Sequence, residues 1–128
     1  MTDGRLHDGF IPGRFPIDAY GNGGFRFAEM SHKGSILLLP SGIRAWSVNS
    51  VAEMSIETFG PVFSEGSALE LLLLGTGPDI AGIPERLRQH FRDARIRLEV
   101  MQTGSAARTY NILLAENRKV GAALIAVP

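Results

Sequence analysis

The chain has 128 residues, with thirteen basic residues balanced by thirteen acidic ones and no cysteine. That length suits one domain burying roughly two-thirds of its unfolded surface, and the lack of thiols excludes disulfides, thiolate metal sites and a cysteine nucleophile. A net charge of +0 disfavours general nucleic-acid binding.

Residues 1 to 14 are Gly-rich, polar and aperiodic, which predicts a loose arm ahead of a single α/β domain over 15 to 128. The arm has no apolar stretch of signal-peptide length and contains two acidic residues, Asp3 and Asp8, which argues against secretory and mitochondrial targeting. No run approaches the ~18 apolar residues of a membrane helix. The expectation is a soluble, cytoplasmic, bacterial protein with no membrane insertion.

Three short β-prone runs follow: Ile17 to Tyr20, Phe25 to Ala28 and Ser35 to Leu39, separated by Gly21-Asn22-Gly23-Gly24 and His32-Lys33-Gly34. They predict an antiparallel meander. Pro40-Ser41-Gly42 ends the third run, and Ile43 to Val48 reads as a further strand with Trp46 in its middle. Ser55 suits an N-cap, and Ile56, Phe59, Val62 and Phe63 recur at helical spacing despite Pro61, predicting a short helix from 55 to 64.

Leu69 to Leu74 is almost continuously apolar and suits a strand covered on both faces. After Gly75-Thr76-Gly77, residues Ile80, Ile83, Leu87 and Phe91 keep helical spacing, with Pro84 fit for a first turn, predicting a helix from about 84 to 94. Ile96, Leu98 and Val100 alternate with Arg97 and Glu99, the pattern of a strand near a sheet edge. Thr103 can cap the next helix, whose Ala106, Ala107, Tyr110, Leu113 and Leu114 share a face and which should end near Asn117. Val120 to Val127 reads as a second central strand beside 69 to 74, in a direction that the pattern does not give.

The segments LELLLLGTG (69 to 77), EVMQT (99 to 103) and AARTYNILLAENR (106 to 118), with AYGNGGFRF (19 to 27) and GSILLLP (34 to 40), resemble one small family of unknown function from about residue 17 onward. It includes a mitochondrial complex I assembly factor and an adipogenesis-associated domain protein. The resemblance implies a three-layer α/β fold: a mixed five-strand central sheet, helices on one face, and a small antiparallel hairpin element plus helix on the other. It implies a last strand inside the sheet, antiparallel to its neighbours, and a role in binding a protein partner with no established reaction. No catalytic residue and no cofactor come with it.

A glycine-flanked turn after a central strand can direct backbone amides at an anion, which Gly75, Thr76 and Gly77 partly satisfy. The third glycine of a dinucleotide fingerprint arrives two residues late, at Gly82, and the plainer reading is a turn that needs small residues. Thr103, Ser105, Arg108 and Asn111 place hydroxyls, a guanidinium and an amide on the first turns of one helix, fit to hold a carboxylate or phosphate. Equally physical is a structural cluster in which Thr103 caps and Arg108 pairs with Glu99 or Glu116. His7, His32 and His90 are too scattered for a metal site, no Ser sits in a nucleophile elbow, and the arginines from 86 to 97 read as a solvated helix face. Trp46 and Tyr20 suit either the core or a protein contact. The expected function is a non-enzymatic interaction or assembly module, with self-association open. The alternative is a binder of a small anion or nucleotide at the Gly75 to Gly77 and Thr103 loops.

Overall fold

Residues 10–128 are described by a computed structural model, in which a large mixed sheet lies between two unlike layers. The large sheet is formed by β1 (Phe10–Pro12), β5 (Ile36–Leu39), β6 (Gly42–Ala45), β7 (Leu71–Gly75), β8 (Arg97–Met101) and β9 (Val120–Leu124) in the order β1-β6-β5-β9-β7-β8. A small antiparallel sheet is formed by β2 (Ala19–Gly21), β3 (Gly24–Phe27) and β4 (Met30–Lys33). The helices are α1 (Gly60–Phe63), α2 (Glu85–Asp93) and α3 (Thr103–Ala115).

Central placement follows from composition. Leu72, Leu73 and Leu74 are at most 1% exposed, and so are Ala122, Ala123 and Leu124 on the neighbouring strand, as strands covered on both faces require. β7 and β9 pair in parallel, Leu71 facing Val120 through Gly75 facing Leu124. The crossover from β7 through α2 to the parallel strand β8 places β8 at the edge, as its alternation indicated. On one face Leu37, Leu39, Leu72 and Leu74 meet Trp46, Phe59, Leu87 and Phe91. On the other, Ile36, Leu38, Leu73 and Leu124 meet Phe25, Phe27, Ala106 and Tyr110, so α3 and the small sheet share that layer.

Several expectations are corrected. The run at 35 to 39 leaves the meander and enters the large sheet, because Ile36 to Leu39 is buried on both sides between β6 and β9. The meander's third strand is β4, reached through a two-residue turn whose Ala28 and Glu29 have φ of +50° and +60°, the left-handed geometry of a tight hairpin. The strand around Trp46 stops at Ala45. Trp46 is buried, its Nε1–H donates to the Thr58 carbonyl at 2.8 Å, and it packs on Phe59, which makes it a core residue. The helix at 55 to 64 is a 3-10 turn over Glu57–Phe59 followed by α1, with Pro61 accommodated in the first turn.

The large sheet has six strands rather than five. Phe10–Pro12, expected within the arm, pairs antiparallel with β6, while residues 1 to 9 of that expectation, with His7, lie outside the described residues. The direction of the last strand is mixed: β9 is antiparallel to β5 but parallel to β7. The α/β fold, with its mixed sheet, flanking helices and small antiparallel hairpin element, agrees with the sequence reading.

Candidate functional site

Parallel pairing brings the carboxyl ends of β7, β8 and β9 to one rim, with Gly75 level with Met101 and Leu124. The loops that leave these strands meet there, the place where open α/β sheets receive ligands. Gly75, Thr76, Gly77 and Thr103 come together as the sequence suggested, but they face one another. The Thr103 hydroxyl donates to the Ile125 carbonyl at 2.7 Å and accepts from the Gly77 N–H at 3.0 Å, while the Thr103 N–H donates to the Gly77 carbonyl at 2.9 Å. Thr103 is 0% exposed.

Thr76 is used in the same way. Its hydroxyl donates to the Asp79 carbonyl at 2.7 Å and accepts from the Ala81 N–H at 3.2 Å, and its own N–H donates to the Met101 carbonyl. Gly75 permits the close approach: a Cβ there would stand 2.8 Å from the Thr103 Cα. The rim is thus a hydrogen-bonded seam joining three loops, and its polar groups are occupied.

Thr103 does not cap α3. Gln102 holds the cap position without a side-chain bond, and Thr103 is the first helical residue. Asn111 clamps a different element: its Oδ1 accepts from the Ile17 N–H and its Nδ2 donates to the Ile17 carbonyl, both at 2.8 Å. This is the pairing of a strand neighbour, supplied by one side chain. Arg108 pairs with neither Glu99 nor Glu116, whose partners are Arg97 and Arg118. Its Nη1 donates instead to the Tyr20 hydroxyl at 3.3 Å. Gly104 leaves room for that hydroxyl, since a Cβ there would overlap it. Ser105 is half-buried on the same turn.

Arg108 and Asn111 do share an opening, a hollow of about 340 Å³ that also touches Tyr20 and Asp18. It lies beside the helix, away from the Gly75 to Gly77 rim. One more hollow, of about 400 Å³, opens on the outer face of the small sheet and touches Arg26 and Lys33. Sequence reasoning passed over it, although the alternation Gly24, Arg26 against Phe25, Phe27 already places Arg26 opposite the buried phenylalanines.

Ionisation supports the reading of a packed, structural helix face. Burial pushes the Tyr110 phenol up to about 12, partly opposed by the Arg14 guanidinium, and its hydroxyl donates to the Phe15 carbonyl at 3.3 Å. Burial lowers the His32 imidazole, against a smaller opposing effect of a backbone bond with Ser35. His90 packs edge-on to Phe63 at 4.5 Å. Among the described residues no group of three His, Asp or Glu side chains is placed to hold a metal ion, and no helix is long and apolar enough to cross a membrane.

The family described as "Protein of unknown function (DUF498/DUF598)" matches residues 17–125. An uncharacterized protein of Rhodobacter capsulatus is 37% identical over 116 residues, 91% of this chain and 88% of its own length. The NADH dehydrogenase (ubiquinone) 1 alpha subcomplex assembly factor 3 of Mus musculus is 32% identical over 128 residues, 97% of this chain and 69% of its own. The crystal structure of an outer membrane protein from Bartonella henselae is similar with a TM-score of 0.88 and 50% identity, covering 91% of this chain and 98% of that one. These relatives overturn the expected cytoplasmic location: those with an assigned role are complex I assembly factors, which are not cytoplasmic proteins. A balanced composition and an ordinary N-terminus do not report a compartment.

Proposed function

Because the chain belongs to the family of unknown function DUF498/DUF598, we propose that it is a non-enzymatic protein-interaction or assembly module serving a membrane-bound NADH dehydrogenase. The observation that carries this reading is the 32% identity to the mouse assembly factor across 97% of the chain. A role in assembly asks for a rigid surface and a partner, and the fold supplies surfaces at both edges of its layers. A charge balance of thirteen cations and thirteen anions disfavours nucleic acid as the partner.

The alternative, a small-anion or nucleotide binder at Gly75, Thr76, Gly77 and Thr103 with Ser105, Arg108 and Asn111, has narrower support. Arg108 is exposed beside an open hollow. The rim hydroxyls and the Asn111 amide, however, are engaged within the chain, and a ligand would have to displace those bonds. No cofactor is part of either reading.

The experiment immobilises the full chain and presents detergent-solubilised NADH dehydrogenase subunits from its host. Enrichment of those subunits over an unrelated α/β protein of similar size and charge is expected, and equal recovery on both baits overturns the assembly reading. Light scattering of the chain alone checks self-association.

A further inference from the structure

The small sheet presents an outer face whose composition follows from its register. Ala19, Arg26 and Ser31 lie side by side across β2, β3 and β4, and Gly21, Gly24 and Lys33 form the next row. Since side chains alternate along a strand, the row between them, Tyr20, Phe25 and His32, turns inward, and Phe25 is buried. The outer face therefore has four small residues and only two long side chains, both cationic. A hollow of about 400 Å³ opens over this face beside Gly21, where an added Cβ would meet nothing within 4 Å, and no Asp or Glu lines it; Gly24 is instead buried, close against the β4 backbone, where a Cβ would overlap the His32 carbonyl.

We propose that this face is a docking cleft for an acidic, extended peptide segment of a partner protein, with its carboxylates on Arg26 and Lys33. Arg26 Nη1 donates to the Ser31 hydroxyl at 2.9 Å, which lays the guanidinium along the face with its other donors available for bidentate carboxylate recognition. None of the ion pairs among the described residues uses Arg26 or Lys33. The two cations are diagonal neighbours on one face, a relation that separates such positions by about 7–8 Å. Side chains at i and i+2 of an extended peptide stand ~6.8 Å apart on one side, so an acid-x-acid repeat matches the spacing where a single small anion spans one cation only.

The proposal deepens the interaction reading by naming the partner's chemistry, and it rests on that reading. Its test is fluorescence anisotropy of the full chain with a labelled ten-residue peptide bearing glutamate at alternate positions, against the same peptide with glutamine. Binding of the glutamate peptide alone is expected. Arg26→Glu with Lys33→Glu should weaken it about tenfold or more, whereas the charge-matched Arg86→Glu with Arg88→Glu on α2 should change it less than about twofold. Ala19→Phe, which fills the floor without altering charge, should also weaken it, and circular dichroism verifies that each variant is folded. No binding, equal loss in both charge-reversed pairs, no loss in Ala19→Phe, or displacement by free glutamate or inorganic phosphate at the peptide's own concentration overturns the proposal. Peptide binding that persists while the subunit capture fails leaves the cleft assigned and removes the NADH dehydrogenase role, so the two failures are distinguishable.

Discussion

Thr103 ties two strand exits together from the first turn of α3. Its hydroxyl joins the turn after β7 to the exit of β9, through Gly77 and Ile125, at a point fully shut off from water. Thr103→Val keeps the shape and leaves a buried N–H and a buried carbonyl unpaired, so a loss of about 2–4 kcal/mol is expected, while Thr103→Ser should cost less than about 1.5 kcal/mol. Urea unfolding checks this as a shift in midpoint at constant slope. Tyr110 gives a pH-dependent counterpart. Its phenol is raised from 10.0 to about 12, so the folded state holds the proton more tightly than the unfolded one. The stability it contributes is fully present below about pH 10 and is lost as pH rises toward about 12, a decline of roughly 2–3 kcal/mol. Tyr110→Phe should flatten that part of the stability profile, which denaturation series between pH 9 and 12 would measure.

At the scale of elements, local pattern and local strain had separate consequences. The helices at Glu85–Asp93 and Thr103–Ala115 and the strands at Leu71–Gly75 and Arg97–Met101 lie where periodicity put them, because each has enough residues for its apolar period to repeat. The meander was legible only in part. β4, with the sequence Met30-Ser31-His32-Lys33, has no apolar alternation to announce it and exists because the Ala28-Glu29 turn returns the chain against β3. That turn has non-glycine residues in left-handed geometry, each disfavoured by about 1 kcal/mol. Glu29 is exposed, so Glu29→Gly should relieve its share and raise the melting temperature by a few degrees. A calorimetric scan that shows no rise would contradict the strain argument. On α2, by contrast, the Arg92–Glu85 pair is open to solvent, and its removal should be nearly silent.

For the molecule as a whole, the question is which surface remains after the fold has satisfied itself. The rim of three strand ends is closed by its own hydrogen bonds, whereas the outer face of the small sheet carries Arg26 and Lys33, which form no ion pair among the described residues, beside an open hollow. A nucleotide at a hundredfold excess over its dissociation constant would add ~2.7 kcal/mol to stability. Thermal scans with nucleotides and small carboxylates are therefore expected to stay flat, and a shift of several degrees would revive the rim as a binding site. The central and edge positions of the strands were readable from the chain alone because burial on both faces or on one is written in consecutive residues, whereas the layers were implied by the family resemblance. Apolar runs at 69 to 74 and 120 to 127 and the alternation at 96 to 101 determined the central pair and its edge neighbour. Only the tertiary structure decided that β9 runs parallel to β7, that Phe10–Pro12 adds a sixth strand, and that Thr103, Thr76 and Asn111 are used inward. The physical reason is that a hydrophobic period is a local property, while the partner of a hydroxyl or amide is chosen by whichever distant segment the packing brings within about 3 Å.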